Sequence, residues 1–164
     1  MVKSVKWFFV VLTVSSLISL SFDKRRTLTE ELPVGKQAPE VVLCNESEPL
    51  NLQPAKGGFT LLSFWASYDA VSRAKNASLS YAAENEARIR MVSISFDLHE
   101  SVWRAAVEQD GGNLDDCHWE MDGKNSDVYK SYGLKDGFTN YLLDDEGIIV
   151  AKNVTADELA GFMD

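Results

Sequence analysis

The sequence predicts an α/β domain in which helices cover both faces of a mixed central β-sheet. Residues 59–65 form an apolar run that stops at a small polar pair, and an alanine-rich segment at helical spacing follows. This pattern is typical of a buried strand that leads directly into a helix. Strand and helix patterns then alternate until an antiparallel hairpin and a last helix, which is the order expected for a mixed sheet.

The N-terminal half of the domain contains two strand-and-helix pairs. Residues 59–65 are apolar on both faces, as in a strand whose sheet is covered on both sides. Residues 89–96 alternate apolar and polar side chains, and Gly111-Gly112 ends the helix that follows. The predicted elements are short strands at 41–44 and 50–52, a strand at 59–65, a helix at 70–87 with Ala70, Ala74, Ala77 and Tyr81 on one side, a strand at 89–96 and a helix at 100–109.

The C-terminal half contains a hairpin and shorter helices. Apolar runs at 139–143 and 148–151 flank a turn that contains Gly147, which predicts a β-hairpin. Thr155 and Glu158 match a capping box, which predicts the start of a helix. The other predicted elements are an extended segment that starts at Trp119, a short helix that Ser126 caps and that reaches Tyr132, and the end of the last helix at Met163.

Residues 1–22 have the composition of an export leader. A basic start precedes an apolar run at 7–20, and Ser19-Leu20-Ser21 supplies small residues at the spacing of a signal-peptidase site. The basic cluster Lys24-Arg25-Arg26 is unusual after a cleaved signal, so an anchor formed by residues 7–22 stays open. We therefore expect a signal peptide or membrane anchor, a linker at 23–32 and a domain at 33–164 that is periplasmic or secreted.

The charge of the chain excludes some classes of partner. Its net charge is −9. The charged residues of the leader are all basic, so removal of the leader would make the net charge more negative. An acidic domain of this kind is not expected to bind nucleic acid or an anionic membrane. We expect contact with a membrane only through the N-terminal segment.

Several stretches of the sequence, which follow one another at suitable spacing, resemble the exported thioredoxin-like family of TlpA-like thiol-disulfide oxidoreductases. The resemblance covers roughly residues 35–163 and implies a thioredoxin-like fold. The stretches that carry it are Gly35-x-x-Ala38-Pro39, Phe64-Trp65-Ala66-Ser67, Val92-Ser93-Ile94-Ser95-Phe96-Asp97 followed by Trp103, Tyr132-Gly133-Leu134, and Thr139-Asn140-Tyr141-Leu142-Leu143-Asp144-x-x-Gly147.

The chain departs from the family at the positions that carry its chemistry. The two cysteines of the family's Cys-x-x-Cys motif fall on Asp69 and Ser72. A carboxylate cannot form a mixed disulfide, and a serine without a neighbouring base is a poor nucleophile. We expect Ser67 and Asp69 to cap the helix instead, and we assign no catalytic residue.

The position of the family's cis-proline falls on Phe138, between Gly137 and Thr139. A cis bond before a residue other than proline costs several kcal/mol, so we expect a trans bond and an altered loop.

The same face could instead bind a partner. The candidate surface consists of Trp65, Tyr68 and Asp69 from one loop and of Gly137, Phe138 and Thr139 from the other. Exposed aromatic side chains beside an anion suit a peptide or an envelope protein. The alternative is that Tyr68 and Phe138 only fill the space that the prolines of the family occupy.

Cys44 and Cys117 are the only cysteines, and neither lies in a Cys-x-x-Cys motif. Free thiols, a structural disulfide and a redox-active pair all stay open, because the sequence does not give the distance between them.

The sequence predicts neither a cofactor nor a metal site. His99 and His118 are the only histidines. A set of His118, Cys117 and nearby Asp115, Asp116 or Asp122 matches no tetrahedral ligand spacing, so we interpret both histidines as surface residues.

The leading hypothesis is an exported thioredoxin-fold protein without the redox dithiol that acts as a binding or accessory module in the cell envelope. The alternative is a thiol-disulfide oxidoreductase of cell redox homeostasis that uses Cys44 and Cys117. An assembly role beside a true oxidoreductase is a third hypothesis. Whether the chain is an enzyme stays open at this point, with the replaced cysteines arguing against it.

Overall fold

A computed structural model describes residues 32–162. The leader and most of the linker lie outside these residues. The strands are β1 (Phe59–Trp65), β2 (Ile89–Ser95), β3 (Cys117–Trp119), β4 (Asn140–Leu143) and β5 (Ile149–Lys152), and the helices are α1 (Ala70–Glu84), α2 (Glu100–Gln109), α3 (Asp127–Ser131) and α4 (Ala156–Ala160). Short 3-10 turns cover Gly123–Asn125 and Leu134–Asp136.

The five strands form one mixed sheet in the order β3-β2-β1-β4-β5. Strand β1 pairs in parallel with β2, and β2 pairs in parallel with β3. Strand β4 runs antiparallel to both β1 and β5. Parallel neighbours need a crossover helix and antiparallel neighbours need only a turn, so the predicted order of elements produces this sheet. The fold is the thioredoxin-like α/β fold that the sequence predicts.

Apolar clusters on both faces of the sheet hold the fold together. One contains Phe64, Ile94, Phe96, Tyr132 and Tyr141, and another contains Leu79 and Ala83 of α1 together with Leu61, Leu142 and Leu159. Strand β1 contributes to both, since six of its seven residues are buried. This is the physical reason why the sequence of β1 is apolar without alternation.

Most predicted helices and strands are confirmed, with differences at their ends. Helix α1 ends at Glu84 and not at residue 87, and α4 ends at Ala160. The buried side of α1 consists of Ser72, Asn76, Leu79 and Ala83, whereas the predicted alanine side faces mostly outward. Alanine spacing shows a helix but does not show which side is buried.

The predicted strands at 41–44 and 50–52 are wrong. Val41 and Leu43 are fully buried, yet residues 41–44 pair with no strand of the sheet. The N–H of Leu50 donates to the carbonyl of Val41 at 2.8 Å, which is an isolated contact between two loops. Short apolar stretches predicted these strands, but a strand forms only where its backbone groups pair with a neighbouring strand. Within the described residues, none of the helices is long and apolar enough to span a bilayer.

Candidate functional site

The start of α1 is a closed hydrogen-bonded turn. Asp69 caps the helix, and its Oδ1 accepts the N–H of Ser72 at 2.9 Å. The hydroxyl of Ser72 donates to the carbonyl of Asp69 at 3.2 Å and accepts the N–H of Ala66 at 3.4 Å. Ser72 is 8% exposed. The side chains at the two positions that the resemblance assigns to cysteine are therefore both used to form the helix start, and the predicted cap at Asp69 is confirmed.

Ser67 does not cap α1, contrary to expectation, because it binds Asp97. Asp97 follows β2 and is 2% exposed. Its carboxylate accepts the N–H of Ser67 at 3.1 Å, the hydroxyl of Ser67, and the hydroxyl of Ser95 at 2.7 Å. The indole N–H of Trp119 donates to the carbonyl of Asp97 at 2.7 Å. These bonds satisfy a buried carboxylate and hold the loop between β1 and α1 against the end of β2.

An aromatic patch lies beside this turn, and we define it as Tyr68, Phe96, Tyr129 and Phe138. The rings of Phe96 and Phe138 stack at 5.6 Å with an interplanar angle of 20°. Tyr68 lies 6.3 Å from Phe138 and Tyr129 lies 6.4 Å from it, measured between ring centroids. Tyr68 is 56% exposed, Phe138 is half-buried and Phe96 is buried. The patch therefore has a buried base and one ring that projects into solvent.

The electrostatics of the patch keep Tyr68 neutral. Partial burial raises the pKa of the Tyr68 phenol above its ordinary value, and the nearby Asp97 carboxylate raises it further. The neutral hydroxyl can donate as well as accept a hydrogen bond.

The loop that carries Phe138 is fixed to the sheet. Every peptide bond among the described residues is trans, so the expected trans bond before Phe138 is confirmed. Gly137 has a φ of 135°, a conformation that side-chain-bearing residues rarely adopt, which explains a glycine at this position. The carbonyl of Thr139 accepts the N–H of Phe64 at 3.0 Å. Thr139 thus lies beside the end of β1, and Phe138 lies near Tyr68.

Trp65 does not belong to this surface, which corrects the sequence prediction. It is the last residue of β1 and is 1% exposed. Its indole N–H donates to the hydroxyl of Ser93 at 2.7 Å, and its ring packs in a cluster with Trp103 and Val107.

The sequence did not identify Phe96, Tyr129 or Asp97 as part of the site. Phe96-Asp97 directly after a buried strand was the available signal for two of them.

Cys44 and Cys117 are free thiols in different places. Cys44 is exposed, and its thiol donates to Asp122 Oδ2 at 3.1 Å. That hydrogen bond is the main cause that raises the pKa of Cys44, and the charges of Asp122 and Glu120 add to it. Cys117 is half-buried, and burial raises its pKa. The two thiols line separate cavities, so the structure does not bring them together as a pair.

Cys44, Glu120 and Asp122 bring potential metal-ligand atoms within 4.8 Å of one another. The set of potential metal ligands considered in the sequence analysis shares only Asp122 with this cluster. Glu120 is 1% exposed, and its carboxylate accepts the backbone N–H of Cys44 at 3.2 Å and of Asp122 at 2.9 Å. Burial raises the pKa of Glu120.

The two histidines lie in different surroundings. His99 is exposed, whereas His118 is half-buried in β3 and is not the surface residue that we expected. Neither histidine belongs to the cluster of Cys44, Glu120 and Asp122.

Comparison with known proteins gives relatives among solved structures only. No protein-family model matches the chain, and no curated protein matches it. A thioredoxin-like protein from Parabacteroides distasonis is 39% identical, with 82% of this chain and 97% of that chain covered and a TM-score of 0.73.

Two further solved structures carry more specific names. The thioredoxin domain of a thiol-disulfide oxidoreductase from Bacteroides vulgatus is 25% identical, with 82% of this chain and 100% of that chain covered and a TM-score of 0.66. A thiol-disulfide oxidoreductase from Bacteroides fragilis is 28% identical, with 77% and 96% covered and a TM-score of 0.61.

Proposed function

Because this chain belongs to the thioredoxin-like family, we propose that it is an exported module of that fold that binds a partner and performs no thiol-disulfide exchange at the start of α1. The observation that carries the proposal is the turn at Asp69 and Ser72. Both side chains are engaged in hydrogen bonds of the helix start, and neither is a thiol. Exchange at this place requires a thiolate, which a helix N-terminus stabilises but cannot replace.

The proposed binding surface is the exposed part of the aromatic patch together with Asp69. Tyr68 offers a ring and a hydroxyl to solvent, and Phe138 supports it from below. Large aromatic side chains with a firm base lose little conformational entropy on binding and are frequent among residues that dominate interfaces. We infer that the partner is an envelope protein or a peptide that inserts an apolar side chain beside Tyr68.

A role in packing alone is the competing explanation for the patch. Phe138 stacks on the buried Phe96, so part of its contribution is to the stability of the fold. Tyr68 exposes more than half of its surface, so most of its ring is available to a partner. The two explanations differ in what removal of the Tyr68 ring does: binding falls in one case and only stability changes in the other.

The experiment is affinity capture of partners from a cell-envelope extract with the wild-type protein and with Tyr68→Ala combined with Phe138→Ala. We expect recovery of the partner to fall by about tenfold or more, because loss of a dominant interface residue costs at least about 2 kcal/mol. The matched control is Tyr81→Ala, which removes a tyrosine that is 74% exposed in the second half of α1, away from the helix start. Unchanged recovery with a folded double variant would remove this surface from consideration.

A thiol-disulfide oxidoreductase is the second candidate function, and the names of the solved relatives favour it over the first. In this chain the reaction would have to use Cys44 and Cys117, which are the only thiols. Both thiols have raised pKa values and are therefore mostly protonated near neutral pH. Exchange by such thiols would be slow at pH 7 and would accelerate as the pH rises toward their pKa values.

Reduction of a disulfide substrate such as insulin tests this candidate, with Cys44→Ser, Cys117→Ser and the wild-type protein compared over a range of pH. Redox function requires an activity in the wild-type protein that either variant abolishes. If the wild-type protein is inactive, or if the variants keep its activity, the candidate is excluded.

Fractionation of cells that express the full chain tests export, since the proposal requires the protein outside the cytoplasm.

A further inference from the structure

A cavity of about 350 Å³ lies between α1, the end of α2 and the first half of β2. It is separate from the aromatic patch, and the functions discussed above do not use it. Its size falls in the range of pockets that hold small molecules, roughly 300–1,000 Å³. The apolar part of its lining includes Ala83, Ile89 and Val107, and its polar lining residues include Asn76, Ser93 and Cys117.

The amide of Asn76 supplies a hydrogen-bond donor to this cavity. Asn76 is 9% exposed. Its Oδ1 accepts the hydroxyl of Ser93 at 3.1 Å, and that hydroxyl accepts the indole N–H of Trp65 at 2.7 Å. These hydrogen bonds place the Oδ1 side of the Asn76 amide at Ser93. Its Nδ2 group has no hydrogen-bond partner among the described residues. Trp103 Nε1 is the one buried side-chain nitrogen or oxygen atom of these residues that lacks a partner, so the Nδ2 group of Asn76 is accessible and can donate to a ligand in the cavity.

The edge of β2 supplies further backbone groups. Strand β3 pairs with β2 only from Ser93 to Ser95. The N–H of Ser93 points to this edge, where it donates to the carbonyl of Asp116 at 2.9 Å. Backbone groups two residues apart in a strand point to the same side, so the N–H and carbonyl of Met91 face the edge where no strand of the described sheet lies. Met91 also lines the cavity.

The charged residues that line the cavity disfavour an anion. They are Glu84, Asp110 and Asp116 together with Arg90. Asp110 is paired with Arg73 at 2.7 Å, which leaves two carboxylates against one guanidinium. A negatively charged ligand would be repelled by these carboxylates and would lose its hydration against the apolar part of the lining.

We propose that this cavity binds a small uncharged molecule that carries a carboxamide group on an apolar body. The carbonyl of the ligand accepts the Nδ2 hydrogen of Asn76, and its amide N–H donates to the carbonyl of Met91. The apolar body lies against Ile89 and Val107. A carboxamide fits because it provides one acceptor and one donor without charge, which is the complement of the groups that the cavity presents.

The probe is benzamide, and the reporter is Cys117, whose thiol lines the cavity. Methyl methanethiosulfonate modification of the purified protein is followed by intact mass and peptide mapping, with Cys44 as the internal reference because it lines another cavity. We expect saturating benzamide to slow the modification of Cys117 by about fivefold or more, since a pocket ligand buries most of its surface and excludes the reagent. The rate at Cys44 stays the same, and benzoate at equal concentration gives no protection.

Two variants connect the protection to the site. Asn76→Leu removes the donor, and we expect the benzamide concentration for half protection to rise about tenfold, as loss of one buried hydrogen bond predicts. Ala77→Trp fills the cavity beside α1 and abolishes protection, whereas Ala74→Trp, on the exposed side of the same helix, leaves it unchanged. Equal protection by benzoate, absence of protection by benzamide, or full protection in folded Asn76→Leu would each overturn the proposal.

Discussion

Asp97 connects two elements of the site through its side chain. Its buried carboxylate receives bonds from Ser67 and Ser95 and so connects the end of β2 to the loop that carries Tyr68. A buried anion without such donors would be strongly unfavourable, so the position of this loop and the burial of Asp97 depend on each other. The exposed Tyr68 is therefore presented on a loop that hydrogen bonds hold in place.

His118 gives a prediction on how stability depends on pH. Burial lowers the pKa of its imidazole below the ordinary value. Between the lowered pKa of the folded protein and about pH 6.5, the unfolded chain binds a proton at this residue that the folded chain does not bind. The free energy of unfolding therefore decreases as the pH falls through this range.

We expect His118→Gln to remove part of this decrease, and His99→Gln, at an exposed histidine, to leave it as in the wild-type protein. Urea unfolding at about pH 7.5 and about pH 5.5 measures the effect. An unaltered pH dependence in His118→Gln would show that burial of this imidazole contributes nothing to it.

Helix α1 retains the features by which a helix N-terminus stabilises an anion. Its cap is a carboxylate, and the N–H of Ser72 is directed at it. Such a terminus carries a partial positive charge that also favours a thiolate. At the start of α1, the side chains at positions 69 and 72 differ from those of a dithiol motif. The backbone at this turn is ordinary for a capped helix.

Asp69→Cys combined with Ser72→Cys should therefore introduce a reactive dithiol. We expect the double variant to reduce insulin, and we expect the pKa of the thiol introduced at the helix cap to lie below the ordinary value of about 8.5, because the helix terminus stabilises the thiolate. Alkylation rates against pH measure the pKa. Asp69→Ser is the matched control for loss of the carboxylate, and it should remain inactive. An inactive but folded double variant would mean that more than the two thiols is missing from this site.

The whole molecule is acidic, with 25 acidic and 16 basic residues. In the described residues the basic side chains that pair do so mostly at the surface, as in Arg73 with Asp110 and Arg104 with Glu100. A net negative charge favours solubility and is unfavourable for binding to polyanions.

We expect the purified protein to pass through a heparin column at low salt without retention, because a net negative chain gains nothing from the release of counterions. A basic protein of similar size serves as the positive control. Retention that salt reverses would reveal a basic surface in the assembled protein and would reopen the exclusion of nucleic acid.

The order of strands and helices, several helix caps and the acidic character follow from the sequence alone. Periodicity, capping residues and turns act between neighbours in the chain, so the pattern around Thr155 and Glu158 predicts its helix without knowledge of the rest. The side chains at positions 69 and 72 are likewise plain in the sequence, and they set the chemistry that the helix start can perform.

The tertiary structure decided which distant residues meet. In the folded protein Trp65 is buried in the core, and Ser67 bonds to Asp97 and does not cap α1. Cys44 and Cys117 lie beside different cavities. The tertiary structure also left the amide of Asn76 facing a cavity. These outcomes depend on packing between elements far apart in the chain. A small-residue pattern such as the alanines of α1 does not show which face of the helix its neighbours will cover.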